Sequence, residues 1–318
     1  MDFTIIIQFI LLIVGFVFLI KGSDMFVDGA SSIASILKIP TVIVGLTIVA
    51  FGTSAPEAAV SITSSLTGSN ALAVSNVIGS NMFNLLMVIG VSALLSELLM
   101  EKDVLKQDLP FLVGITLLFA LFIFINWDIS VIEGIILLVI LACYIFFIVR
   151  KARKSKDGQK VEKPKLSSKK SIIFMIIGLI GIVLGGDLVV DSASYIAIAF
   201  GMSETLVGLT IVAIGTSLPE FVTSLTALKK GENQLVIGNV IGSNIFNILF
   251  VLGASSAISA VPLDSSMLID VIFMVFVTIL CFIFGKTQDK FDKKEGVILI
   301  ALFVVYMGFA IWRNYFPF

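Results

Sequence analysis

Histidine is absent from all 318 residues, and cysteine occurs only twice. The first absence removes the commonest general base and the commonest transition-metal ligand together. The second excludes a disulfide framework, because Cys143 and Cys281 each fall inside an apolar run. Charge is scarce too: Lys, Arg, Asp and Glu make up 14% of the chain against 58% hydrophobic residues, and mean hydropathy is +1.13. No water-soluble domain of ordinary composition has this balance, so the chain reads as an all-α polytopic membrane protein. Its net charge of −1 gives no reason to seek a nucleic-acid partner.

A bilayer-spanning helix needs about 20 mostly apolar residues, and the chain offers ten such stretches. They run Phe3 to Leu37, Thr41 to Leu66, Leu72 to Leu98, Leu109 to Ile125, Ile129 to Val149, Ser171 to Phe200, Thr205 to Leu228, Leu235 to Ala260, Met267 to Phe284 and Gly296 to Trp312. The start, Met-Asp-Phe-Thr, has no basic n-region, so the first stretch is expected to be a retained span rather than a cleaved signal. With the N-terminus outside, Lys38, Lys102, Lys106, the ten basic residues from Arg150 to Lys170, Lys229, Lys230, Lys286, Lys290, Lys293 and Lys294 all fall inside. Only Arg313 falls outside, which predicts ten spans in the cell membrane with both termini external.

Two segments align without a gap when residue n is set against residue n+163. Gly-Leu-Thr-Ile-Val-Ala from Gly45 recurs from Gly208, Gly-Thr-Ser-x-Pro-Glu recurs at Gly52 and Gly215, and Asn-Val-Ile-Gly-Ser-Asn recurs at Asn76 and Asn239. Chance does not produce this; it is a duplication. The expected organisation is a first five-span repeat over 1–150, a basic cytoplasmic linker over 151–170 and a second repeat over 171–318. An odd number of spans per half makes the repeats inverted, the architecture that places transporter sites near the midplane.

Within the repeats, Pro56 and Pro219 each lack an N–H and clash with the carbonyl four residues back, so both helices are predicted to break. Glu57 and Glu220 follow immediately, at mid-membrane, where a charge costs about 2.5–3.5 kcal/mol on insertion scales. One such glutamate can be a protonated helix-joining residue. Two at equivalent positions, each beside the same break, point to a bound cation. Thr53, Ser54, Thr216 and Ser217 add hydroxyls at the breaks, and the carbonyls of Ala50 and Ala213 are near. Ser80 and Asn84, with Ser243 and Asn247, lie i to i+4 on single helical faces, and Gly79 and Gly242 permit close backbone approach. Asn81 and Asn244 read equally as interhelical glue. Two aspartate pairs, Asp24/Asp28 and Asp187/Asp191, are divided between gating and plain interfacial polarity. The donor set is all oxygen, which suits Ca²⁺ with its 6–8 oxygen ligands and excludes zinc, copper and nickel.

On these motifs, GTSAPE with SNVIGSNMFN and GTSLPE with GNVIGSNIFN, nearly the whole chain resembles the cation/Ca²⁺ exchanger superfamily, specifically the prokaryotic sodium/calcium exchangers. The resemblance implies Glu57 and Glu220 as shared Ca²⁺ and Na⁺ ligands, with Thr53 and Thr216 giving backbone oxygen. It implies that Ser54, Ser217, Ala50, Ala213, Ser80 and Ser243 line Na⁺ sites, with Asn84 and Asn247 central, and that the long first and sixth helices slide during alternating access. It also implies exchange of three Na⁺ for one Ca²⁺, with the ions and surrounding lipid as partners, no cofactor and no obligate protein partner. Asparagine at 247, where potassium-dependent relatives often carry aspartate, argues against K⁺ co-transport. Gly-Thr-Ser in place of the Gly-Asn of proton-coupled relatives favours sodium. H⁺/Ca²⁺ exchange at the same carboxylates remains an alternative. A passive channel is opposed by the inverted repeats and the paired broken helices, and an intramembrane hydrolase by the missing histidine, the missing catalytic aspartate pair and the lack of a serine beside a buried lysine.

Overall fold

A computed structural model describes residues 3–68, 70–154, 164–202, 211, 213–262 and 265–315. Helix α1 spans Phe3–Leu37, and α2, Thr41–Thr53, meets α3, Ala55–Leu66, at a 48° bend. Next, α4 runs Asn70–Phe83 and continues through a π-helical stretch, Asn84–Val88, into Ile89–Leu95. Strand β1 (Leu98–Leu99), α5 (Leu109–Asn126), β2 (Asp128–Ile129) and α6 (Val131–Lys154) complete the first half. The second half follows as α7 (Ser168–Ala199), the short α8 (Ala213–Gly215), α9 (Leu218–Lys229) and α10. This last helix comprises Asn233–Phe246, a π-helical Asn247–Leu252 and Gly253–Ile258. Strand β3 (Val261–Pro262), α11 (Ser265–Gln288), β4 (Lys290–Phe291) and α12 (Lys293–Tyr315) close the chain.

Eight of the described helices are long and apolar enough to cross a membrane, and the bent pair α2/α3 makes a ninth. The start of the seventh expected span, 203–210, lies outside the described residues, as do 155–163 of the expected linker. Both ends of that linker prove helical, since α6 continues to Lys154 and α7 begins at Ser168. Hydropathy cuts a span at its first charges, but both helices run on through theirs. At α6, the Ser130 hydroxyl and Glu133 carboxylate form a reciprocal capping box, with Ser130 N donating to Glu133 Oε2 at 2.8 Å. Asp292 and Glu295 do the same at α12.

The expected all-α polytopic architecture is what the described residues show, with four two-residue strands between the helices. Two two-residue antiparallel ladders join the halves, β1 with β4 and β2 with β3. They reveal where the gapless repeat changes register: Leu98 matches Val261 at an offset of 163, and Asp128 matches Lys290 at 162. At the new offset, two buried clusters are equivalent. Tyr144 Oη donates to Asp108 Oδ1 at 3.3 Å, with Lys151 Nζ 3.6 Å from Asp108 Oδ2. Tyr306 Oη donates to Asp270 Oδ1 at 3.1 Å, with Arg313 Nη2 2.8 Å from Asp270 Oδ2. Arg313, the lone basic residue expected outside, therefore ties α12 to α11.

Inversion is visible in the contact between α1 and α7. A Cβ on Gly15 would lie 3.0 Å from the Gly185 carbonyl, one on Gly22 2.7 Å from that of Gly178, and one on Gly29 2.7 Å from that of Ser171. The partners descend in number as the glycines ascend, so the equivalent helices run antiparallel. Small residues let two membrane helices approach backbone to backbone, where dispersion rather than the hydrophobic effect holds them.

Candidate functional site

Proline at the second position of α3 and of α9 sets each break. The residue before each new helix, Ser54 (φ −84°, ψ 8°) and Ser217 (φ −94°, ψ 5°), adopts the same non-helical geometry. A serine at the bend has its side chain freed from the helical face, and both point across the repeat boundary. Ser54 Oγ donates to Glu220 Oε1 at 2.8 Å, and Ser217 Oγ donates to Glu57 Oε1 at 3.1 Å. The same oxygens also accept from their own half, Glu57 from Ser80 and Glu220 from Ser243, each at 3.4 Å. The two breaks thus form one site with pseudo-two-fold symmetry.

Glu57, Glu220, Ser54, Ser217, Ser243, Asn84, Asn247, Thr53 and Ala50 are all fully buried, and Ser80 is nearly so. Among the described residues no lysine or arginine pairs with either glutamate. Oε2 of Glu57, Oε2 of Glu220, both amide atoms of Asn84 and Oδ1 of Asn247 are buried with no protein partner. A buried carboxylate oxygen with neither donor nor counter-charge is costly, and a cation offsets that cost. Asn84 and Asn247 each open a π-helical stretch, a local widening frequent at functional sites.

The remaining candidates divide. Thr53 Oγ1 is turned to Val49 O at 3.1 Å and to Asn239 Oδ1 at 3.1 Å. Thr216 is half-buried and its hydroxyl donates to Asn76 Oδ1 at 3.3 Å. The Ala50 carbonyl accepts the Ser54 N–H at 3.0 Å and keeps a second lone pair. Ala213 opens α8, and its side chain lies outside the described residues. A Cβ on Gly242 would come within 2.7 Å of Leu46 Cα and of Ala50 Cβ, so α10 and α2 touch through this glycine. Gly79 has no such neighbour among the described atoms; the equivalent Leu209 lies outside them. Asn81 accepts from Asn247 Nδ2 at 3.2 Å across the repeats, whereas Asn244 Nδ2 donates to Val240 O within its own helix.

Sequence reasoning missed Asn76 and Asn239, although each heads a quoted repeat motif. It also left the aspartate pairs undecided. Lys230 Nζ, just past α9, lies 2.9 Å from Asp28 Oδ1 and 3.5 Å from Asp24 Oδ1, and donates to Asp24 O at 2.7 Å. Ser23 and Thr223 hydroxyls meet nearby at 3.3 Å, so α1 is fastened along α9. The equivalent of Lys230 is Thr67, which bonds only its own helix at Thr63 O and Ser64 O. Asp187 and Asp191 are exposed, and α7 lies far less closely on α3.

Buried carboxylates with no protein cation, at paired helix breaks between inverted repeats, define a secondary transporter of cations. The chain belongs to the sodium/calcium exchanger protein family, whose model matches residues 7–150 and 170–312, a family of transporters rather than enzymes. It is 32% identical to sodium/calcium exchanger MaX1 of Methanosarcina acetivorans, over 95% of this chain and 98% of that protein. Identity to inner membrane protein YrbG of Escherichia coli is 33%, over 96% of this chain and 97% of that one. Among solved structures, the sodium-calcium exchanger NCX_Mj soaked with Na⁺ and Sr²⁺ superimposes with a TM-score of 0.85 at 31% identity, covering 96% of this chain and 98% of that one.

Proposed function

We propose that this chain exchanges Na⁺ for Ca²⁺ across the cell membrane by alternating access, three Na⁺ entering for each Ca²⁺ extruded. The observation that carries the reading is the pair of fully buried glutamates, each with one partnerless oxygen and no lysine or arginine in reach. Two ionised carboxylates neutralise one Ca²⁺, and the serine hydroxyls, asparagine carbonyls and freed backbone carbonyls fill a flexible oxygen shell. The same carboxylates balance two Na⁺, leaving a third to dipoles. The ligand set is Glu57, Glu220, Ser54, Ser217, Ser80, Ser243, Asn84 and Asn247, with the carbonyls of Thr53, Thr216, Ala50 and Ala213. The halves 1–150 and 171–318 carry one half-site each, the linker 151–170 is cytoplasmic and both termini are outside.

Three Na⁺ against one Ca²⁺ moves one net charge, worth about 2.3 kcal/mol per 100 mV. In vesicles loaded with Na⁺, ⁴⁵Ca²⁺ uptake is expected only down an imposed Na⁺ gradient and faster when the uptake direction is electrically assisted. Uptake that follows a pH gradient in sodium-free medium would overturn the sodium reading in favour of proton coupling. A K⁺ gradient is expected to change nothing beyond its effect on voltage.

The Asp24/Asp28–Lys230 contact supports a state closed on the cytoplasmic side, because Lys230 falls among the inside residues. Partly exposed ion pairs contribute about 0.5 kcal/mol each, so losing two shifts the access equilibrium about fivefold. Lys230→Gln is therefore expected to strengthen apparent Ca²⁺ affinity from the cytoplasmic face about fivefold and weaken it from the other. Equal changes on both faces of sidedness-controlled vesicles count against the fastening.

A further inference from the structure

Asn76 and Asn239 touch none of the carboxylate oxygens, yet each uses its whole amide at the site. Asn76 Nδ2 donates to the Glu57 carbonyl at 3.3 Å and to Ser61 Oγ at 3.0 Å, while its Oδ1 accepts the Thr216 hydroxyl at 3.3 Å. Asn239 Nδ2 donates to the Glu220 carbonyl at 3.4 Å and to Ser224 Oγ at 3.0 Å, while its Oδ1 accepts the Thr53 hydroxyl at 3.1 Å. The orientation is forced, because a flipped amide would set its oxygen against a backbone carbonyl. Only a neutral side chain with donors at one end and an acceptor at the other meets both partners. Aspartate would lose the donors and place a third carboxylate beside the site.

Each asparagine therefore spans the boundary between repeats. Glu57 is held twice by consecutive residues of the opposite break: Ser217 bonds its carboxylate directly, and Thr216 reaches its backbone through Asn76. The mirror arrangement holds Glu220 through Ser54 and through Thr53 with Asn239. Without these bridges, each carboxylate is fixed relative to its own helix but free to drift from the other half-site. Misplacement of a ligand by about 1 Å is what a site built on a poorly supported outer shell suffers.

We propose that Asn76 and Asn239 are positioning residues that hold the two half-sites in register, so that both carboxylates meet one ion. The inference rests on the glutamates being the transport site. It concerns affinity rather than the charge that binds, so the expected signature is a change in KM with turnover largely kept. Removing one bridge leaves the other asparagine bridge and both serine–glutamate bonds in place.

The test measures Na⁺-driven ⁴⁵Ca²⁺ uptake in reconstituted vesicles for Asn76→Ala, Thr216→Val and the double variant. Wild type and Glu57→Gln run alongside and report on the site itself. If Glu57→Gln transports normally, the site assignment fails, and that result is distinct from anything the bridge variants do. Each single variant is expected to raise KM for Ca²⁺ about tenfold with maximal rate within threefold, and the double variant is expected to match the singles, since both cut one chain of bonds. Asn76→Ala combined with Thr53→Val, which belongs to the other bridge, is expected to multiply the two effects. Unchanged KM in Thr216→Val, or full additivity of Asn76→Ala with Thr216→Val, overturns the proposal. Should Asn76→Ala fail to insert, Thr216→Ser against Thr216→Val decides alone: the serine keeps the hydroxyl and is expected to raise KM several-fold less than the valine, and equal behaviour of the two overturns the bridge.

Discussion

Replacing either Glu57 or Glu220 by glutamine is expected to abolish Na⁺-gradient-driven Ca²⁺ uptake while leaving the protein folded. Glutamine has nearly the same shape, so the bend, the helix contacts and the packing around the side chain are kept. What changes is charge and the identity of one atom. At present Glu57 Oε1 accepts two serine hydroxyls and Oε2 has no hydrogen-bond partner among the described residues. In Glu57→Gln, if Nε2 takes the Oε2 position, a donor points at the cation; if it takes the other, the two serine hydroxyls lose their acceptor. The Coulomb loss is larger still. At an ion–oxygen distance of about 2.4 Å and an effective dielectric of 20, one unit of negative charge attracts a divalent ion by on the order of 10 kcal/mol. Reduced desolvation returns much of this, but each 1.4 kcal/mol that remains is a factor of ten in affinity. Loss of uptake by at least about a hundredfold is expected, with monodisperse protein recovered in normal yield. Near-normal uptake in either variant sinks the assignment of the site.

The second large effect concerns the two longest helices. A leucine in place of Gly22 is expected to stop exchange and to lower thermal stability markedly, although position 22 is not in the proposed ligand set. Its Cβ alone would stand 2.7 Å from Gly178 O, 2.8 Å from Ile182 N and 2.9 Å from Gly181 C. All three are backbone atoms of α7, so no rotamer change relieves them and the helices must part. Gly178 meets the same obstacle in reverse, with Phe26 N at 2.6 Å from its notional Cβ. Overpacking ordinarily costs about 1–3 kcal/mol, and here separation also forfeits the close contact at Gly15, Gly29 and Gly185. Gly114→Leu is the control, since nothing lies within 4 Å of a Cβ there. A melting temperature for Gly22→Leu within a degree or two of that control would show the glycine stripe to be incidental.

The repeat made much of this legible in advance. Identical breaks at Pro56 and Pro219 marked the candidate site, and the odd number of spans per half implied that two distant glutamates come together, as their serine bonds across the halves show. The serine motif then supplied hydroxyls on the correct helical face. What stayed hidden had physical reasons. The Thr53 hydroxyl finds its side-chain acceptor in Asn239, far away in sequence. Asn76 and Asn239 were in view as the first residues of a repeated motif, but an amide that serves backbone and threonine looks the same on paper as one that serves an ion. Lys230 was equally visible and equally mute, because its partners Asp24 and Asp28 lie in another element. The capped start of α12 at Lys293, ahead of the expected Gly296, escaped a hydropathy reading, since its capping box is made of the polar residues at which such a reading stops. The single-residue change of register between the halves hid the Asp108 and Asp270 clusters from a gapless comparison.

The two short ladders bear on how the molecule is made. Leu98 pairs with Phe291, and Ile129 pairs with Val261, so each strand of the first half finds its mate only in the second. During synthesis the early spans can enter the bilayer one by one, but the peptide groups of β1 wait until nearly the whole chain has emerged. Contacts this distant in sequence close late, after the entropy of a very long loop has been overcome. The nascent first half is thus an inserted but unfinished body, and its completion is timed by the last helices to leave the ribosome.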